Sequence, residues 1–215
     1  MFRKMLGVSA VCLLSTTLLT VVDSAVVSAM PHPPASGTLL CNISGNGKFS
    51  PKLTASGMAI TAVKTKFKGV GSGCTGTATT TNSAGTTSPV TIPNVKIKAA
   101  GYIQPTGPGN ANACAVFTSS DGVGVIKAKI TYPGASPAIA PTIVTYSVGG
   151  PFVSNNAGSD RLSMPSGAAT TITGSFATAS NAQIILDTVI VNACSSTWGP
   201  YPTFTFGVTS LLDIF

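Results

Sequence analysis

The sequence predicts an all-β fold, an antiparallel β-sandwich or flattened barrel of about nine to ten strands. Two observations carry that expectation. Glutamate is absent, leucine is sparse, and Gly, Pro, Thr, Ser and Val dominate the 215 residues, a mixture that disfavours helix interiors and suits strands and turns. Short runs with alternating apolar positions also recur along the chain, each closed by a Gly, Pro or Asn cluster, which is how strands and turns alternate in such folds.

The chain opens with Arg3 and Lys4, then an apolar run from Leu6 to Val22, then the small residues Val27-Ser28-Ala29. That order is the one a secretory signal takes, so residues 1–29 are expected to be removed on export. The apolar run is shorter than the roughly 20 residues a bilayer span needs, and a stable transmembrane anchor is not expected. Cys12 follows Val11 inside the apolar run, where a lipoprotein site would want a small residue, and it reads as part of the signal. Residues 30–37 form a proline-rich leader, and residues 38–215 form a single domain, a normal length for one hydrophobic core.

The strands expected in order are "TLLCNI" (38–43), closed by "SGNG"; "GMAITAVKTKFKGV" (57–70), closed by "GSG"; "CTGTATTT" (74–81); and "VTIPNVKIKAAGYI" (90–103). "GVIKAKITY" (124–132), "PTIVTYSV" (141–148), "TTITGSFA" (170–177), "AQIILDTVIV" (182–191) and "TFTFGVTSLL" (203–212) complete the set. The β-branched content of 182–191 favours a buried strand over a helix. Residues 149–168 read as a long loop, functional or poorly ordered.

Beyond the signal there are four cysteines, Cys41, Cys74, Cys114 and Cys194. An even number in an oxidising compartment reads as two disulfides. Three connectivities exist and spacing does not choose among them; our expectation is the sequential pairing, Cys41–Cys74 and Cys114–Cys194. No C-x-x-C pair is present, so neither a zinc ribbon nor a thioredoxin-type redox site is expected.

"CNISGNGKFSPKLT" followed by "GSGCTGT" resembles the opening of a loosely defined group of small secreted bacterial proteins common in actinobacteria. The matching positions are Cys41, Gly45, Gly47, Phe49-Ser50-Pro51, Leu53 and Gly73-Cys74-Thr75-Gly76. The likeness covers residues 38–132, with a weak echo near Cys194. It implies export, β-structure and the Cys41–Cys74 bridge, and it carries over no activity and no catalytic residue.

Lys64, Lys66 and Lys68 alternate along one strand, and the device recurs at Lys96 and Lys98 and at Lys127 and Lys129. Side chains two apart on a strand share a face, so Val63, Phe67, Val95, Ile97, Ala128 and Ile130 are expected to turn inward. If the three strands are neighbours, these seven lysines make one basic face suited to an anionic envelope polymer, an acidic glycan or lipid headgroups. The competing explanation is that a half-wet sheet alternates polar-out and that lysine blunts edge strands. With Phe67 turned inward, no aromatic residue is expected among the lysines on their own face to stack bases, and nucleic acid is not expected for an exported chain.

Trp198 and Tyr201 in "CSSTWGPYPTF" offer a second candidate, an aromatic platform for the apolar face of a sugar. The plainer alternative has Trp198 plugging one end of the core. Catalysis finds little material. The single histidine, His32, lies in the leader, and the acids past the signal, Asp121, Asp160, Asp187 and Asp213, are widely spaced. Asp121 and Asp160 sit in turn-like sequence. No nucleophile elbow, P-loop, S-x-x-K or calcium-loop pattern is present. Phe215 ends the chain as the terminal aromatic of an outer-membrane barrel would, but Asp213 breaks the alternation such a strand requires.

The expectation is therefore an exported, two-disulfide, non-enzymatic β-domain without cofactor or metal, structural or adhesive at the cell envelope, touching anionic polymer through its lysines. The alternative is a secreted carbohydrate- or ligand-binding module using Trp198, Tyr201 and the 149–168 segment. A secreted hydrolase is the remote third reading, and the sequence leaves the oligomeric state open.

Overall fold

The computed structural model describes residues 32–54, 57, 62–105, 122–149, 153–156, 159–163, 171–187 and 201–215. The chain divides into two units, Met1–Met30 and Pro31–Phe215, and all described residues belong to the second. They form thirteen strands: β1 (Ala35–Gly37), β2 (Leu39–Leu53), β3 (Val63–Thr75), β4 (Ala78–Thr81), β5 (Thr87–Val90), β6 (Asn94–Pro105), β7 (Gly122–Thr131), β8 (Thr142–Gly149), β9 (Val153–Asn156), β10 (Ser159–Ser163), β11 (Thr171–Gly174), β12 (Ala182–Asp187) and β13 (Tyr201–Ile214). All paired strands are antiparallel, as the alternating sequence pattern requires.

The expected all-β antiparallel class is present, and of the two arrangements expected, sandwich or flattened barrel, the large sheet shows a curled half-barrel. Ten strands join one sheet in the order β11-β8-β7-β6-β3-β2-β13-β12-β10-β9, and β1-β4-β5 make a small second sheet. The large sheet curls as a half-barrel, because each strand pair adds a twist of roughly 20–25° and ten strands cannot stay flat. Alternation says that each strand buries one face. It does not say whether a second sheet or the same sheet, curled, supplies the opposite wall.

The inward positions are those the alternation predicts. Val63, Phe67, Val95, Ile97, Ala128 and Ile130 are all buried, in one cluster with Ile184, Leu186, Leu212 and Ile214 from the other flank of the sheet. Burying each large side chain contributes about 1.5–3 kcal/mol, with extended-chain bookkeeping giving an upper bound. Ala78 and Val90 of the small sheet belong to the same cluster. Phe49, Phe67, Phe204 and Phe206 form one aromatic group within it, with centroids of Phe49 and Phe204 5.0 Å apart and Phe67 meeting Phe206 edge-on at 6.1 Å.

Two expected turns are strand interior. "SGNG" lies within β2, because Gly45 and Gly47 leave the room that the rings of Phe206 and Phe204 occupy. A Cβ on Gly47 would sit 2.1 Å from Phe204 Cζ, and one on Gly45 would sit 2.6 Å from Phe206 Cζ. "GSG" is likewise inside β3. Leu40 pairs with Thr75 and Asn42 with Ser72, so Cys41 faces two residues, Gly73 and Cys74, across a β-bulge. Gly73 holds φ of 61°, the left-handed conformation such a bulge asks of its first residue. The bulge brings Cys74 to Cys41 with Cα atoms 4.2 Å apart, and the two form the disulfide expected between them. Cys114 and Cys194 lie outside the described residues.

Three further boundaries are corrected. The segment expected as one strand over 90–103 breaks after Val90, where β5 joins the small sheet and β6 the large one. The expected 149–168 loop contains β9 and β10, which pair with each other and extend the edge of the large sheet. The apolar alternation that marks a strand is weak in their sequences, "VSNN" and "SDRLS". The tail of the expected leader forms β1, with Ala35 buried and paired opposite Thr80.

A chain of buried hydroxyls anchors that N-terminal strand. The Tyr132 hydroxyl donates to Thr142 Oγ1, which donates to the Ser175 carbonyl at 2.7 Å. Ser175 Oγ in turn donates to the Ala140 carbonyl at 2.6 Å and accepts the Ala35 N–H at 3.1 Å. Burial pushes the Tyr132 hydroxyl above its ordinary range, and the bond to Thr142 partly opposes this.

Candidate polyanion-binding face

The three K-x-K segments lie on β3, β6 and β7, which are consecutive in the large sheet. Register then decides what each lysine meets. Lys68 stands opposite Lys98, and Lys98 opposite Lys129. Two residues along, Lys66 stands between Lys48 of β2 and Ala100 of β6, and Ala100 stands opposite Lys127. Two residues further, Lys64 stands between Ser50 and Tyr102. At the other end Lys96 stands between Val70 and Thr131. Strand neighbours are about 4.8 Å apart and alternate residues about 7 Å apart along a strand. All seven lysines therefore belong to one lattice on one face, and all are exposed.

Lys48 is an eighth member that the sequence reading missed. Its signal was present in the alternating "NGKFSPK", but a strand expected to stop at Ile43 left it outside any sheet. The same error hid Asn46, which stands opposite Lys68.

The strands that carry the lattice hold no acid. No acidic residue occurs between Asp23 and Asp121, so β2, β3 and β6 carry none, and β7 and β8 carry none either. Asp213 pairs with Leu40, at the far end of β2 from Lys48. Directly opposed like charges weaken a sheet, a cost that covering by neutral polar side chains would not carry. Edge protection does not account for it, since β3, β6 and β7 are interior strands and the sheet's edges are β11 and β9.

Lys48, Lys66, Lys68, Lys98, Lys127 and Lys129 line an open trough of about 1120 Å³, together with Ala100 and Ile143. Lysine stems can lie along such apolar surface while their ammonium heads stay free for solvent or a ligand. A compact ammonium on a flexible stem suits a repeating anion, whereas planar two-point recognition would favour arginine; the strands of this face contain no arginine. A second trough of about 410 Å³ continues along the same face, lined by Asn42, Ser44, Ser72, Asn94, Val70 and Lys96 among others.

The other candidates fall partly outside the described residues. Trp198 lies outside the described residues, and Tyr201 opens β13 opposite Leu53. Of the acids, Asp121 lies outside the described residues, whereas Asp160 is in β10, Asp187 in β12 and Asp213 in β13. His32 is exposed near the start of the described chain. Among the described residues no group of three His, Cys, Asp or Glu side chains gathers as a metal site would need.

No protein-family profile, no curated protein and no solved structure matches this chain.

Proposed function

We propose that this chain is an exported, non-enzymatic β-domain of the cell envelope that holds an anionic polymer against the lysine face of its large sheet. The observation that carries the proposal is the register Lys68–Lys98–Lys129 on three interior strands, with no acid on those strands. Export rests on the signal-like residues 1–29 and agrees with the Cys41–Cys74 disulfide, a bond that persists in oxidising compartments. Lysines about 5–7 Å apart lie within one Debye length at physiological salt, so a repeating anion meets their combined field.

The test is retention on an immobilised poly(glycerol phosphate) column. The full chain should be retained at low salt, released as ionic strength rises, and pass freely through an uncharged dextran column. Equal retention on both matrices would overturn the proposal.

A further inference from the structure

The lysine lattice has one vacancy in its middle, and the residues around that vacancy specify more than charge. Ala100 sits between Lys66 and Lys127 across the strands, with Lys98 two residues before it on β6 and Tyr102 two residues after it. An alanine at that position opens a seat ringed by three ammonium groups whose stems can lean inward. Tyr102 is 43% exposed and Val70 is 56% exposed, two of the large apolar side chains that this domain leaves in water. Both lie on the lysine face, at opposite ends of the lysine rows. Beyond Val70, Asn42, Ser72 and Asn94 form a cross-strand row of amides and a hydroxyl. A bare polyphosphate has no use for an exposed aromatic ring or for an amide row. A sugar polymer uses both, the ring against its apolar C–H face and the amides on its hydroxyls.

We infer that the polymer is an anionic glycan, with an acidic group seated over Ala100 among Lys66, Lys98 and Lys127 and an adjoining sugar ring against Tyr102. This deepens the proposed function and rests on it. The spacing is consistent, since Ala100 and Tyr102 are about 7 Å apart along β6, close to the step from an acidic substituent to a neighbouring sugar ring.

The experiment titrates the full chain, disulfide intact, with a polyuronate and with inorganic polyphosphate at the same low salt. Wild type should bind both. Tyr102→Ala should weaken polyuronate binding about tenfold and leave polyphosphate within about twofold, while Tyr102→Phe should keep both. Ala100→Glu, which places a carboxylate in the seat, should weaken both polymers about tenfold or more. Equal polyuronate affinity in wild type and Tyr102→Ala would overturn the glycan inference while the general polyanion reading stands. Unchanged binding in Ala100→Glu would overturn the seat. Binding of polyphosphate without polyuronate would likewise remove the glycan, and binding of neither polymer would remove the proposed function itself.

Discussion

Lys68 and Lys98 stand directly opposite each other across β3 and β6, and Lys98 repeats the relationship with Lys129 of β7. Like charges placed so oppose sheet formation by about 0.2–1 kcal/mol a pair. The apolar side of the same strands supplies Phe67, Ile97 and Ile130 to the core and outweighs that repulsion several-fold. The fold thus tolerates a local electrostatic cost on the face where the ligand is proposed to sit.

Relieving the repulsion should therefore stabilise the unliganded protein. Lys98→Gln is expected to raise unfolding free energy at low salt by about 0.2–1 kcal/mol per opposed pair, with the gain shrinking as salt is added. Urea denaturation at low and high ionic strength checks this.

Gly47 and Phe204 form a matched pair in which one residue's missing side chain admits the other's ring. Gly47→Ala is expected to cost about 1–3 kcal/mol through overpacking. Phe204→Leu should itself be destabilising, yet it should make Gly47→Ala cheaper when the two are combined. A double-mutant cycle reads that coupling directly. Simple additivity would contradict the packing account.

What the sequence disclosed and what it hid follow from this pair. Side-chain direction in a strand is local, so Val63, Phe67, Val95, Ile97, Ala128 and Ile130 were legible as inward residues. Neighbours are not local. Gly45 and Gly47 looked like turn residues because the rings that need their space arrive on β13, at the far end of the chain. Lys48 fell outside the expected lysine face for that reason. Ala100 and Tyr102 carried no sequence signal at all, since their meaning depends on which lysines lie across from them.

The Cys41–Cys74 bond closes a separation of 33 residues over the bulge at Gly73. Cys41→Ser together with Cys74→Ser should lower stability by about 3–4 kcal/mol in the chain-entropy model. The denaturant midpoint of the double variant should fall below that of oxidised wild type by a corresponding amount.

Two buried tyrosines should behave oppositely. Ser175→Ala breaks the hydroxyl chain that includes Tyr132 and should cost about 1–3 kcal/mol. Tyr146 is fully buried, and its hydroxyl has no hydrogen-bond partner among the described residues. Tyr146→Phe should thus be neutral or stabilising, as measured by thermal unfolding.

Alkaline pH gives a further test of the same burial. Burial raises the pKa of both Tyr132 and Tyr146 above the unfolded value near 10. A raised tyrosine pKa means the unfolded chain loses protons first. The stability from keeping these hydroxyls neutral is complete below about pH 10 and falls as pH rises beyond it. Tyr146→Phe should make that decline shallower in a pH series of unfolding curves.

The most direct measurement compares the affinity of wild type and a Lys68→Gln, Lys98→Gln, Lys129→Gln triple variant for an anionic polymer across a salt series. The account predicts that wild-type binding weakens steeply with ionic strength. It also predicts that the variant, still folded, binds at least about tenfold more weakly at low salt and with a flatter salt dependence. Wild-type affinity indifferent to salt, or a folded triple variant that binds as wild type does, would contradict it.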